Sequence, residues 1–105
     1  DYQGARQIKA SMPEAIGVFI LPPSLAELER RLRGRGTEDE PTTLRRLQAA
    51  KGEIEHYGFF EYVIVNDDIQ RAYDSLRAIV FAERCKRDRH AILCEQLLVE
   101  GKVGN

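Results

Sequence analysis

The densest group of potential ligand-binding side chains in this sequence is a run of arginines. Residues 30–37 read Arg-Arg-Leu-Arg-Gly-Arg-Gly-Thr, so four of the eight positions are arginine, and three acidic residues follow at 38–40. A guanidinium group keeps its charge at physiological pH and binds phosphate oxygens through two parallel hydrogen bonds. Because Gly34 and Gly36 loosen the backbone, this run could fold over a polyphosphate like a lid.

Two other interpretations of the arginine run stay open from the residues alone. The arginines could form a solvated face that pairs with neighbouring acids, or they could form a patch that binds RNA. The formal net charge of the whole chain is −1, from 16 basic and 17 acidic residues. Because a general nucleic-acid binder usually carries a clear basic excess, we expect no nucleic-acid partner.

A second group of polar residues follows an apolar run. Asn66, Asp67 and Asp68 come directly after residues 62–65, Tyr-Val-Ile-Val, which predict a buried strand. In parallel α/β sheets, ligands bind at the carboxyl ends of the strands, where helix amino termini also meet. The alternative is that these residues only cap a helix. Asp1 also stands where a strand would end and a helix would begin.

The elements that would position these residues alternate between helix and strand, which favours an α/β fold with parallel strands. Continuous apolar runs predict two strands buried on both faces, at residues 15–21 and 62–65. Apolar spacing and capping residues predict the following helices: 4–12, 25 to the glycines, 39 to about 57–58, 69 onward, and 91–99 with a stop at Gly101.

Local signals refine these elements. Ser24 and Glu27 have the spacing of a capping box, in which the hydroxyl caps the helix and the carboxylate reaches back. The four aromatic residues between 57 and 62 are interpreted as core. Cys85 and Cys94 both fall in sequence that reads as helical, about 13 Å apart along one helix, which is beyond the reach of a disulfide.

Composition limits the class of protein. The chain has 105 residues, of which 43% are hydrophobic and 31% charged, as in a soluble globular domain. The longest apolar run, at 15–21, is too short to cross a bilayer, so we expect no membrane partner. Free thiols indicate a reducing compartment, and the cytoplasm is the expected location. Because the chain begins at Asp1, we expect a processed chain or a fragment.

Taken in order, five segments resemble the guanylate kinase family. They are Asp-Tyr-Gln-Gly at 1–4, Pro-Pro-Ser at 22–24, Arg-Leu-Arg-Gly-Arg-Gly-Thr at 31–37, Arg-Arg-Leu at 45–47, and Val-Asn-Asp at 65–67. The resemblance covers Asp1 to about Arg87. It implies part of a three-layer α/β fold of the P-loop nucleoside-monophosphate-kinase type, with parallel strands and a helical lid.

The resemblance also implies an activity and its residues. The activity is phosphoryl transfer from ATP to GMP, with Mg²⁺ accompanying the ATP. The lid arginines of the family correspond to Arg31, Arg35 and Arg46, which would clamp the transferring phosphate. The adenine-side contact falls on Asn66 and Asp67, and Asp1 matches an aspartate on the GMP side. In domain terms, residues 1–27 and 55–105 would be core segments, and 28–54 the lid with its supporting helices.

The chain also departs from the family pattern. It has no GxxxxGK[ST] sequence, so the usual cradle for the ATP phosphates is missing, and we expect this chain alone to be inactive. Pro41 replaces an acidic residue that the family pattern leads us to expect in the lid. An alternative function is a non-catalytic guanylate-kinase-like domain that binds a phosphorylated protein partner. The final helix could pack on a second subunit or on its own core, and both stay open.

Overall fold

A pair of parallel strands forms the sheet of the protein. The computed structural model describes residues 1–34, 36 and 39–103. Strand β1 (Val18–Leu21) pairs in parallel with β2 (Tyr62–Val65), so that Val18 lies beside Tyr62 and Leu21 beside Val65. The parallel α/β arrangement predicted from the alternating pattern is therefore confirmed.

The described residues form five α-helices in addition to the strands, in the chain order helix, strand, two helices, strand, two helices. Their bounds are α1 Tyr2–Ser11, α2 Leu25–Gly34, α3 Glu40–Ile54, α4 Ile69–Arg84 and α5 Arg87–Val103, with one 3₁₀ turn at Tyr57–Phe59. The chain forms two compact units, residues 1–72 and residues 73–105. Helix α2 packs against α3 within the first unit.

Side-chain caps fix where four of the helices begin. Each cap is an oxygen that accepts a backbone N–H three residues later, and this satisfies one of the donors that a helix start leaves without a partner. The distances from the backbone nitrogen to the side-chain oxygen are 2.6 Å for Gly4 to Asp1, 3.0 Å for Glu27 to Ser24, 2.9 Å for Thr42 to Asp39 and 3.0 Å for Arg71 to Asp68. The cap at Asp1 starts α1 two residues earlier than predicted.

The prediction that both strands are buried on both faces is wrong. Ile64 is buried, with 4% of its surface exposed, but Ile20 is 48% exposed and Val65 47%. Strand β1 also begins at Val18 instead of residue 15. A parallel sheet is buried only when neighbours cover it, and in the described residues the sheet has two strands, each with one free edge.

Several other predictions also differ from the structure. Helix α3 ends at Ile54, and Tyr57 is 63% exposed instead of forming core. Helix α5 begins at Arg87 and continues through Gly101, since a single glycine weakens a helix without ending it. Cys85 lies in the turn between α4 and α5, so the two cysteines do not share a helix, although both are free thiols as predicted.

Charged and aromatic contacts join the starts of the two strands. The Glu61 carboxylate accepts hydrogen bonds from Lys9 Nζ on α1 and, at 2.7 Å, from the backbone N–H of Gly17. The Phe19 and Phe60 rings stack with centroids 5.1 Å apart. The hydrogen bonds from Lys9 and Gly17 lower the pKa of Glu61, because they favour its ionised form. None of the described helices is both long and apolar enough to span a bilayer.

We predict that Glu61→Gln destabilises the complete protein by about 1 kcal/mol, because a charged acceptor shared by Lys9 and Gly17 becomes a neutral one. A lowered pKa stabilises the fold above the ordinary value of 4.5, and this contribution disappears as the pH falls through the folded-state pKa. Urea unfolding at pH 7 and at pH 3 measures both effects. A difference from wild type that persists undiminished at pH 3 would contradict the assignment, and Glu55→Gln, at another exposed acid, is the control.

Candidate functional site at the carboxyl edge of the sheet

The carboxyl ends of both strands meet at one edge of the sheet. Because the strands are parallel, β1 ends at Leu21 beside the end of β2 at Val65. The backbone N–H of Asn66 donates to the carbonyl oxygen of Leu21 at 2.7 Å, which extends the pairing by one residue. Helices α2 and α4 both begin within four residues of this edge. Two helix amino termini and their polar caps therefore start from the same edge, the usual place for ligands in such sheets.

Of the polar residues that follow β2, only one caps the next helix. Asp68 caps α4, as its hydrogen bond to Arg71 shows. Asn66 is half-buried at the sheet edge, and Asp67 is exposed with its carboxylate 3.6 Å from Arg71 Nη1. The capping role that could have explained the whole segment thus belongs to Asp68. Asn66 and Asp67 lie at the edge where the sequence predicted them.

Arg31 lies on α2 beside an acidic partner. Its Nε is 3.1 Å from Glu27 Oε1, and Arg30 donates to both oxygens of the same carboxylate. These hydrogen bonds, chiefly those from Arg30, lower the pKa of Glu27 to about 2, so Glu27 is ionised at every physiological pH. Ser24 therefore forms its half of the predicted capping box, but Glu27 turns to the arginines of its own helix.

Arg46 lies on α3, the helix that packs against α2. Its side chain is exposed, as is that of Arg45, whose Nη2 donates to Thr42 Oγ1 at 3.1 Å. Thr43, which is 2% exposed, anchors the first turn of α3 through a hydrogen bond to the backbone oxygen of Asp39. Two of the three predicted lid arginines are thus carried by a packed helix pair. Arg35 lies outside the described residues.

Asp1 occupies a different part of the first unit. It caps α1 and lines a largely apolar cavity of about 530 Å³, together with Lys9, Glu53 and Glu61. None of the other predicted site residues lines this cavity. The cavity therefore places Asp1 beside Lys9, Glu53 and Glu61.

The described residues do not form a metal centre of their own. Within them, no three or more His, Cys, Asp or Glu side chains gather where they could hold a metal ion.

Two ion pairs of Arg33 on α2 were missed by sequence reasoning. Arg33 on α2 donates to Glu29 on the same helix and to Glu40 in the first turn of α3. These contacts raise the pKa of Arg33 and lower that of Glu40. The spacing of Glu29 and Arg33, four residues apart on a helix, was the available signal for half of this arrangement. The Glu40 contact depends on how the chain turns between the helices, which no helical spacing encodes.

Comparison with known proteins bears on the family and the fold. The sequence model of the guanylate kinase family matches residues 1–83. The chain is 57% identical over 86 residues to a guanylate kinase from Aromatoleum aromaticum, covering 82% of this chain and 42% of the relative. It is 52% identical over 102 residues to that of Dechloromonas aromatica, covering 93% of this chain and 50% of the relative.

A solved structure is also similar to this chain. Guanylate kinase from Anaplasma phagocytophilum superposes with a TM-score of 0.67 at 38% identity, covering 85% of this chain and 40% of that chain. The fold is thus part of the α/β fold of the nucleoside-monophosphate-kinase type. The chain belongs to the guanylate kinase family, and it spans about half the length of the curated relatives that it matches.

We predict that Glu27→Gln in the complete protein raises its affinity for inorganic tripolyphosphate roughly threefold, because it removes a carboxylate that holds Arg31. With the pKa of Glu27 near 2, the difference from wild type should be constant between pH 6 and 8. Titration calorimetry measures the affinity. Glu14→Gln removes the same charge at an exposed position outside α2 and is the control. Equal gains in both variants would show a general charge effect and not a release of Arg31.

Proposed function

We propose that the complete protein transfers a phosphoryl group from ATP to GMP, giving ADP and GDP, in the cytoplasm. The observation that carries the proposal is the placement of Arg31 and Arg46 on the packed helices α2 and α3 in a chain of this family. Helix α2 begins just beyond the carboxyl end of β1, so its arginines belong to an element that starts at the ligand-binding edge.

The chemistry needs alignment and charge neutralisation more than covalent help. A phosphate oxygen of GMP attacks the γ-phosphorus of ATP, the bond to the β–γ bridging oxygen breaks, and ADP leaves with that electron pair. Arg31, Arg35 and Arg46 would bind the equatorial oxygens of the transferring group. Their fixed positive charges would offset the charge that develops there and would help to exclude water.

The remaining predicted residues would orient the two nucleotides. Asn66 and Asp67 would contact the adenine side, and Asp1 would lie on the GMP side. Mg²⁺ would neutralise the phosphates of bound ATP and would arrive with it. Pairing with Glu27 orients Arg31, and a phosphate would compete with that carboxylate for the guanidinium.

The direct test is ATP-dependent phosphorylation of GMP by the complete protein in a coupled ADP-release assay. We expect rapid turnover with GMP, little with AMP, and none from the 105-residue chain alone, which lacks a GxxxxGK[ST] sequence. A folded complete protein without turnover would overturn the proposal. Binding of a phosphorylated peptide by that inactive protein would then identify the non-catalytic alternative.

Individual arginines can be tested against their sequence neighbours. We predict that Arg35→Ala and Arg46→Ala each lower the kcat of the complete protein by roughly 10³-fold, the range seen when phosphoryl transfer loses a well-placed arginine. Thermal unfolding should show an intact fold in both variants. Arg45→Ala, one position from Arg46 on α3, is the matched control and should keep most of the activity. Near-normal turnover of Arg46→Ala would remove that residue from the site.

A further inference from the structure

Arg33 connects the two lid helices through its side chain. Its guanidinium donates to Glu29 Oε1 through Nε at 3.1 Å and through Nη2 at 2.9 Å, both within α2. The same Nη2 donates to Glu40 Oε1 at 2.8 Å, and Nη1 contacts the other oxygen of that carboxylate. Glu40 is the first residue of α3. One planar cation therefore binds two carboxylates that belong to different helices.

The backbone turns next to the same residue. The N–H of Gly36 donates to the carbonyl oxygen of Arg33 at 3.1 Å, and Gly36 has a φ of +66°, in the left-handed region that favours glycine. The Asp39 side chain then caps α3. Residue 33 thus marks the point where α2 gives way to the turn, and its side chain reaches the first residue after the turn.

The Arg33 contacts differ in kind from the other contacts of the arginine run. Arg30 and Arg31 both pair with Glu27, which lies on their own helix, so those pairs can only stiffen α2. The contact from Arg33 to Glu40 instead fixes one helix against the next. Its guanidinium uses several donors at once, and this is the geometry in which arginine gives directional as well as electrostatic restraint.

We propose that Arg33 is a positioning residue: through its contact with Glu40 it fixes the angle between α2 and α3 so that Arg31 and Arg46 reach one phosphoryl group together. This role rests on the proposed function. Phosphoryl transfer is sensitive to the alignment of its charged groups, and small misplacements cost large factors in rate. Arg33 itself need not touch a nucleotide, because its guanidinium is already engaged by the two carboxylates.

A comparison of the two carboxylates tests this role. Glu40→Gln and Glu29→Gln remove the same charge beside the same guanidinium, but only Glu40 lies across the turn. In the complete protein we expect Glu40→Gln to lower kcat roughly fivefold, with KM for ATP and GMP changed less than twofold, and Glu29→Gln to lower kcat less than twofold. Equal effects of the two variants, or a normal kcat for Glu40→Gln, would overturn the proposal.

A distance measurement separates failure of this role from failure of the proposed function. Spin labels at positions 26 and 48, which are exposed on α2 and α3, report the spread of distances between the helices in a cysteine-free complete protein. We expect Glu40→Gln to broaden the distribution and Glu29→Gln to leave it unchanged. An unchanged distribution in Glu40→Gln overturns the proposal. The wild-type protein could be inactive while Glu40→Gln still broadens the distribution. That result would overturn the proposed function and the role of Arg33 in phosphoryl transfer, and it would leave only a structural role for Arg33 in joining the two helices.

Discussion

The parallel pairing of β1 with β2 is the constraint on which the rest of the site depends. It brings the end of each strand to the same edge, and α2 and α4 then start from that edge with their capped amino termini. A slip of one residue in this register would turn the buried Ile64 to the opposite face, so the pairing is tied to the burial of one side chain. Asn66 extends the pairing by one backbone hydrogen bond, so the strand pairing also positions the polar segment at the edge.

Arginine on α2 and α3 is bound by carboxylates of the same segment. The property that suits it to phosphate, a permanent charge on a planar fork, also suits it to carboxylates, and the acids of this segment exploit that. Glu27 holds Arg31, while Glu29 and Glu40 hold Arg33. The two interpretations of the arginine run as a solvated ion-paired face and as a phosphate lid are therefore compatible. An arginine that is ion-paired in the absence of a ligand is already oriented. A phosphate that bound to it would take the place of the glutamate carboxylate.

Local sequence signals predicted those features that arise locally. Short sequence patterns predicted the caps at Ser24 and Asp39, and both caps are present. The same kind of pattern predicted the second strand and the parallel α/β class, and the structure shows both. The resemblance to guanylate kinases, carried by five short segments in order, identified the family. The exposure of Ile20 could not be predicted from the sequence. A run of apolar residues predicts a buried strand, but burial also requires neighbouring elements that cover the strand, and the run does not identify them.

Contacts across a turn were the other limit of sequence reasoning. The contact between Arg33 and Glu40 joins residues seven apart through a change of direction, and helical periodicity carries no information about it. The same holds for Glu61, whose partners Lys9 and Gly17 are far away in sequence. The resemblance gave Asp1 a place on the GMP side and stated nothing about its surroundings, and the structure shows that it lines a cavity with Lys9, Glu53 and Glu61.

The backbone at Gly36 has a consequence for how α2 and α3 respond to their solution. Gly36 has a left-handed φ of +66° and Asp39 is extended, with a ψ of 170°, so neither residue continues a right-handed helix between α2 and α3. These backbone conformations carry no charge and do not depend on ionic strength. The ion pairs of Arg33, which are partly exposed, weaken as salt is added. We therefore expect added salt to weaken the contacts between α2 and α3 while leaving the backbone conformations at Gly36 and Asp39 unchanged.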